Sequence, residues 1–291
     1  MFNMDEYKPT HIAYSDEAYY LNNKYSSISM VSLELRYLEE LDTTIKECLK
    51  SSGVREFKWH LTGSAKYKYC AIKIIDAVFE FVKEGKIRID TIIWDSKKRK
   101  NFKRENEITI LGKMYYHLYK YVLTNRWPKS NWKLHPDQQG SIDWEELLKI
   151  LENVSSKLKI IKDSEGKLIF DEKRDFRVLE ISEIDSKESC LCQITDLFSG
   201  LAAYYHLECP TCNLGPQQQG LTDSFKKLSN SDTERYEIIK HIKEKSKKSS
   251  MDIEFDSLKG VKTKNPEHPI NFWQFEIKGG KHNNQKLSKF F

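Results

Sequence analysis

Asp185-Ser-Lys-Glu-Ser-Cys-Leu-Cys-Gln193-Ile-Thr-Asp196-Leu-Phe-Ser-Gly200 is the stretch on which the fold of this chain turns. It follows an apolar run, Phe176 to Ile184, that reads as a buried strand. It leads into a helix on which Gln193 and Asp196, three residues apart, share a face. Ile194, Leu197 and Phe198 flank the acid, and a carboxylate buried among such neighbours is costly without a partner. A metal ion is the partner this pattern suggests.

Upstream, strand and helix patterns alternate. His11 to Ser15 predicts a first strand that ends at the acids Asp16-Glu17, and Tyr25 to Leu35 a second. Leu38, Leu41, Ile45 and Leu49 carry helical spacing, with Gly53 as a stop. Ala65 to Lys83 and Glu107 to Asn125 predict long helices around a strand at Ile87 to Trp94. Asn131 to His135 reads as a strand running into Pro136-Asp137, and Asp143 as the cap of a helix through Leu158. Ile160 to Phe170 resembles a hairpin. Beyond Tyr205 the pattern weakens to a loop, a polar helix over Ser229 to Lys248, and strand-like pieces such as Ile270 to Ile277. The expectation is an α/β core over residues 8–206 and a less regular C-terminal extension over 207–291.

The chain has 291 residues, 39% of them hydrophobic, enough for a packed core. No run approaches the roughly 18 apolar residues that span a bilayer. The first residues lack the charged and apolar regions of a secretory signal, so a cytoplasmic protein is expected. The net charge of +5 permits a nucleic-acid partner without requiring one. Two basic clusters, Ser96 to Arg104 and Lys240 to Lys248, read as solvated faces or as phosphate-binding surfaces. The six cysteines suit reduced thiols in that compartment. Cys209-Pro-Thr-Cys212, with His206 three residues earlier, has zinc-knuckle spacing, but a structural zinc takes four ligands. Cys190 and Cys192 complete the set only if the fold brings them near.

Asp16, Glu56, Asp137 and Asp196 lie at or beside predicted strand ends and helix starts, where neighbouring elements share an edge. Magnesium and manganese take oxygen ligands of this kind. Two such ions about 4 Å apart can clamp the attacking and leaving oxygens of a phosphodiester. Each acid also has a plainer reading. Glu17 competes with Asp16, Glu56 can pair with Lys58 on the surface, and Asp137 stands in a turn-like setting. Asp185 reads as a turn or cap, Lys187 as able to reach phosphate, and Gln193 as orienting the loop or backbone and not the reaction. No nucleophile elbow or glycine-rich phosphate loop is present.

These blocks resemble a prokaryotic family, domain of unknown function 3800. The matching residues are Asp16-Glu17, Glu56-Phe-Lys58, Asp137, Asp185-Ser-Lys187 and Gln193-Ile-Thr-Asp196-Leu-Phe-Ser-Gly200. Ala18-Tyr19 stands where that family carries Ser-Gly. Over roughly residues 11–205 the resemblance implies a ribonuclease H-like fold, a mixed five-stranded sheet flanked by helices. By carry-over, Asp16, Glu56, Asp137 and Asp196 become ligands of two Mg2+ or Mn2+ ions. In a nuclease of that kind Lys58 is expected in a catalytic role and Lys187 and Gln193 near substrate. The expected activity is metal-dependent hydrolysis of RNA or DNA, in a family often found near mobile elements or phage-defence genes. The alternative is a non-catalytic nucleic-acid-binding or adaptor module on the same fold.

Overall fold

The computed structural model describes residues 8–18, 24–96, 106–138, 140–162, 168–208, 229–256 and 259–276. In chain order the elements are β1 (His11–Ala18), β2 (Tyr25–Glu34), α1 (Leu38–Ser51), α2 (Ala65–Lys83), β3 (Ile87–Asp95) and α3 (Glu107–Asn125). There follow β4 (Asn131–Pro136), α4 (Trp144–Ser155), β5 (Ser156–Lys162), β6 (Leu168–Arg174), β7 (Arg177–Ile181) and α5 (Cys190–Glu208). The last described elements are α6 (Asn230–Lys248), β8 (Ile253–Asp256), β9 (Gly260–Thr263) and β10 (Ile270–Gln274). Among the described residues no helix is long and apolar enough to cross a membrane.

Six strands form one mixed sheet in the order β10-β3-β2-β1-β4-β7. β1, β2 and β3 pair antiparallel, whereas β4 runs parallel to β1, β7 to β4 and β10 to β3. The expectation of five strands is therefore corrected to six. The additional strand is β10, which comes from the part of the chain expected to stand outside the core. It binds β3 because the run Ile270-Asn-Phe272 is buried and matches the apolar Ile89 to Ile93 beside it.

Strand alternation divides the core into two layers. Ile12 and Tyr14 of β1 join Val31, Ile89 and the inner faces of α1, α2 and α5. Ala13 joins Ile28, Ile92 and the inner faces of α3 and α4. α1 buries Leu41, Ile45 and Leu49, a single stripe at helical spacing. Gly53, at φ 66°, and Gly85, at φ 71°, follow α1 and α2 in the left-handed region that favours glycine. α4 stops at Ser155, short of Leu158, because the β5–β6 hairpin begins at Ser156 and is longer than expected.

Two further expectations change. The run Phe176 to Ile184 is an edge strand, with only Val178 of β7 buried. The chain touches the sheet again at Ile184, which bridges to Asp137. The basic cluster Lys240 to Lys248 ends α6, and it is partly spent on a neighbouring helix. Lys245 and His241 reach Asp76 of α2 at 2.7 and 2.8 Å, while Lys68 of α2 reaches back to Glu234 at 2.6 Å. Most of the other cluster, residues 97–104, lies outside the described residues.

Candidate active site

The chain between α1 and α2 is extended at Lys58 (φ −138°, ψ 129°), so its side chains alternate as in a strand. Phe57 and Trp59 enter the core at 0% and 2% exposure, which leaves Glu56 and Lys58 on the other side. α5 holds the segment there. Gln193 Oε1 accepts the Phe57 N–H at 2.6 Å, and Asp196 Oδ2 accepts the Trp59 N–H at 2.7 Å. One turn on, Gly200 lies so close to Trp59 that any Cβ would fall inside the indole. Gln193, Asp196 and Gly200 share one face of α5. That strip is a dock for Glu56 to Trp59.

β1 continues through both acids instead of ending before them, and the continuation separates them. Asp16 follows Ile12 and Tyr14 toward α5 and is 7% exposed. Glu17 follows Ala13 and Ser15 toward α3, where Tyr115 Oη donates to its Oε2 at 2.5 Å. Asp16 is thus the acid of the pair that faces Asp196. Asp137 comes next to it because the Asp137 N–H donates to the Ser15 carbonyl at 2.8 Å, one step beyond the Ser15–Pro136 pair of β1 and β4. Neighbouring strands lie about 4.8 Å apart.

Ser186, a residue the sequence reading passed over between Asp185 and Lys187, joins these pieces. Its N–H donates to Asp137 Oδ1 at 3.0 Å, and its carbonyl accepts from Gln193 Nε2 at 3.1 Å. Its hydroxyl accepts from Lys58 Nζ at 2.8 Å and donates to Glu56 Oε1 at 3.1 Å. Nothing in its local pattern marks it, since a lone serine has neither periodicity nor charge. Asp185 is a turn residue whose Oδ1 accepts the Lys187 N–H at 2.9 Å, and the Lys187 side chain is exposed. Gln193 is 2% exposed with both ends of its amide engaged, which fits it to space the backbone.

Four carboxylates therefore share one ammonium. Lys58 Nζ stands 3.3 Å from Glu56 Oε1 and 4.0 Å from Asp137 Oδ2. Burial, then the charges of Asp196, Glu17 and Asp137, hold the Asp16 carboxyl well above the usual carboxylate range. Burial pushes Asp196 up to about 6 against the opposing pull of the Trp59 N–H and Lys58. Asp137 is raised by burial as well, with Lys58 and the N–H groups of Gln138 and Ser186 opposing. Burial alone would lower Lys58, but Asp196, Asp16 and Asp137 outweigh it and raise its pKa. The Glu56, Lys58 and Asp137 side chains keep 24, 28 and 19% of their surface in solvent, so a ligand can reach them.

The donor set, carboxylate oxygens with a nearby hydroxyl, suits a hard divalent cation. As placed, these groups surround the Lys58 ammonium. Among the described residues no three acidic, histidine or cysteine side chains stand in a metal-holding array. Cys209 and Cys212 lie outside the described residues. His206 is already used, its Nε2 accepting the Val261 N–H at 3.1 Å, and burial lowers its pKa to about 4. His135 bonds Ser182 Oγ at 3.0 Å.

Fold and site together define an α/β protein with a mixed six-stranded sheet and an acidic cluster where β1 and β4 end. The chain belongs to the same family as Uncharacterized protein ORF2′ of Methanothermobacter thermautotrophicus. The two are 30% identical over 283 residues, spanning 90% of this chain and 93% of that protein. Uncharacterized protein ORF2 of the same organism is 29% identical over 278 residues, with the same shares covered. No protein-family model matches the chain.

Proposed function

We propose that this protein is a divalent-metal-dependent nuclease of ribonuclease H-like architecture, hydrolysing phosphodiester bonds of RNA or DNA. One observation carries the reading: Asp16, Glu56, Asp137 and Asp196 come from four separate parts of the chain and lie about the Lys58 ammonium where β1 and β4 end. The strand order supports the architecture, with β1, β4 and β7 parallel and β2 antiparallel between β1 and β3. A mixed sheet flanked by helices is compatible with the fold implied by the resemblance to domain of unknown function 3800, with β10 as a sixth strand at the edge.

The four carboxylates would hold Mg2+ or Mn2+, and four suit two ions. When bound, such ions lower the pKa of water and neutralise charge on the departing oxygen. The chain's own groups do the rest. Ser186 and Gln138 fix the Asp137 carboxylate through their N–H groups. Gln193 and Asp196 set the height of Glu56 and Lys58, and the exposed Lys187 is available for phosphate oxygens.

The test uses labelled single- and double-stranded RNA and DNA with Mn2+ or Mg2+. Cleavage is expected from the wild type. Asp16→Asn and Asp196→Asn should each lower it by more than the roughly 10–100-fold that supporting residues cost. Unchanged cleavage in both variants would overturn the mechanism. A non-catalytic nucleic-acid-binding module is the second reading, favoured by the ion pairs that Lys58 makes within the cluster. It predicts strand binding with neither cleavage nor heat of Mn2+ binding.

A further inference from the structure

Lys58 is usually read in such a pattern as a phosphate-holding or catalytic lysine, yet its head points among the acids. The Nζ group donates to Ser186 Oγ at 2.8 Å, lies 3.3 Å from Glu56 and 4.0 Å from Asp137, and feels the charges of Asp16 and Asp196. These are the acids that would receive a divalent cation. We infer that the Lys58 ammonium and the divalent cation compete for the same place, so that Lys58 sets the cation concentration at which the site fills. The inference rests on the metal reading above.

The local structure makes the exchange a side-chain event. The backbone at Phe57 and Trp59 is pinned by Gln193 and Asp196, and both aromatic side chains are buried. Moving the ammonium therefore requires only rotation of a flexible four-carbon stem. Ser186 Oγ stays in position through its bond to Glu56. A divalent ion brings twice the charge to the same carboxylates, which favours the exchange. The lysine it displaces remains tethered beside the cluster by the pinned backbone.

Mn2+ is titrated by calorimetry into the wild type, Lys58→Met, Lys58→Gln and Lys187→Met. The two Lys58 variants should bind Mn2+ about tenfold more tightly or better, the factor that one hydrogen bond to a charged group represents. Lys187→Met should change affinity by no more than about twofold, as a screened surface charge does. Equal or weaker binding in both Lys58 variants overturns the inference and leaves the metal reading standing. A gain as large in Lys187→Met also overturns it, since net charge would then explain the effect. Absence of Mn2+ binding in every protein overturns the inference and the metal reading together.

Thermal melts give an independent readout and cover the case in which Lys58→Met folds poorly. In chelator, Lys58→Gln should melt below the wild type, because the acids lose their counter-charge. Saturating Mn2+ should close that gap, and a gap that persists overturns the inference.

Discussion

Asp16 has both flanking strands settled around it, and its charge works against the fold. Its carboxyl pKa is held well above the ordinary 3.8 by burial and by Asp196, Glu17 and Asp137, so the folded chain holds that proton more tightly than the unfolded chain. Stability from this group is therefore complete below the ordinary value and falls as pH rises through the folded one. Asp196, raised from the ordinary 3.8 to about 6, acts in the same direction as pH rises through that range. Asp16→Asn should accordingly be more stable than the wild type at pH 7.5, by roughly 1 kcal/mol, while losing the proposed cleavage. The difference should vanish near pH 3, below the ordinary carboxylate value, where Asp16 is neutral in both the folded and the unfolded chain. Urea melts at the two pH values check this, and a variant less stable than the wild type at pH 7.5 would refute it. If Asp196 is the proposed metal ligand, Mn2+ affinity should rise with pH through about 6, because its carboxylate has to lose its proton first.

At the scale of elements, one face of α5 organises the site. Gly200→Ala places a methyl group inside the Trp59 indole and should cost about 1–3 kcal/mol, read as a lower urea midpoint at unchanged slope. A neutral Gly200→Ala would mean that Trp59 can retreat and that the dock is loose. The Gln193-Asp196 spacing was legible in the sequence as a shared face, and the four acids stood out by position. What they dock and surround was not. The choice between Asp16 and Glu17 depended on β1 running past Ser15, because strand alternation assigns sides only once the strand's extent is known. Ser186 works through its backbone and one hydroxyl, which no pattern of residue types reveals. α2 and α3 could be read to the residue, since each has an unbroken apolar stripe. β7 was misjudged for a related reason. An apolar run does not say whether a neighbour exists to cover it, and as an edge strand β7 has one partner.

At the scale of the molecule, the C-terminal part is built into the sheet. Asn271 of β10 donates to Asp90 of β3 at 3.2 Å, where that fully buried carboxylate also meets Arg88 at 3.4 Å. Arg126, after α3, pairs with Glu267 at 2.5 Å, and Thr263 of β9 donates to the Ile270 carbonyl at 3.1 Å. A chain stopped at Glu208 would leave β3 as an open apolar edge and strip Ile239, Val261 and Phe272 from the core. It should aggregate or lose its cooperative melt, as scattering during a thermal ramp would reveal. A soluble, cooperatively folding truncated chain would overturn this account. The pairing of Ile270 with Ile89 also has a consequence in time. Ile270 leaves the ribosome about 180 residues after its partner, a delay on the order of 10–40 s at ordinary elongation rates. For that interval the nascent chain carries one open edge of β3 that stays available to other strands until β10 arrives.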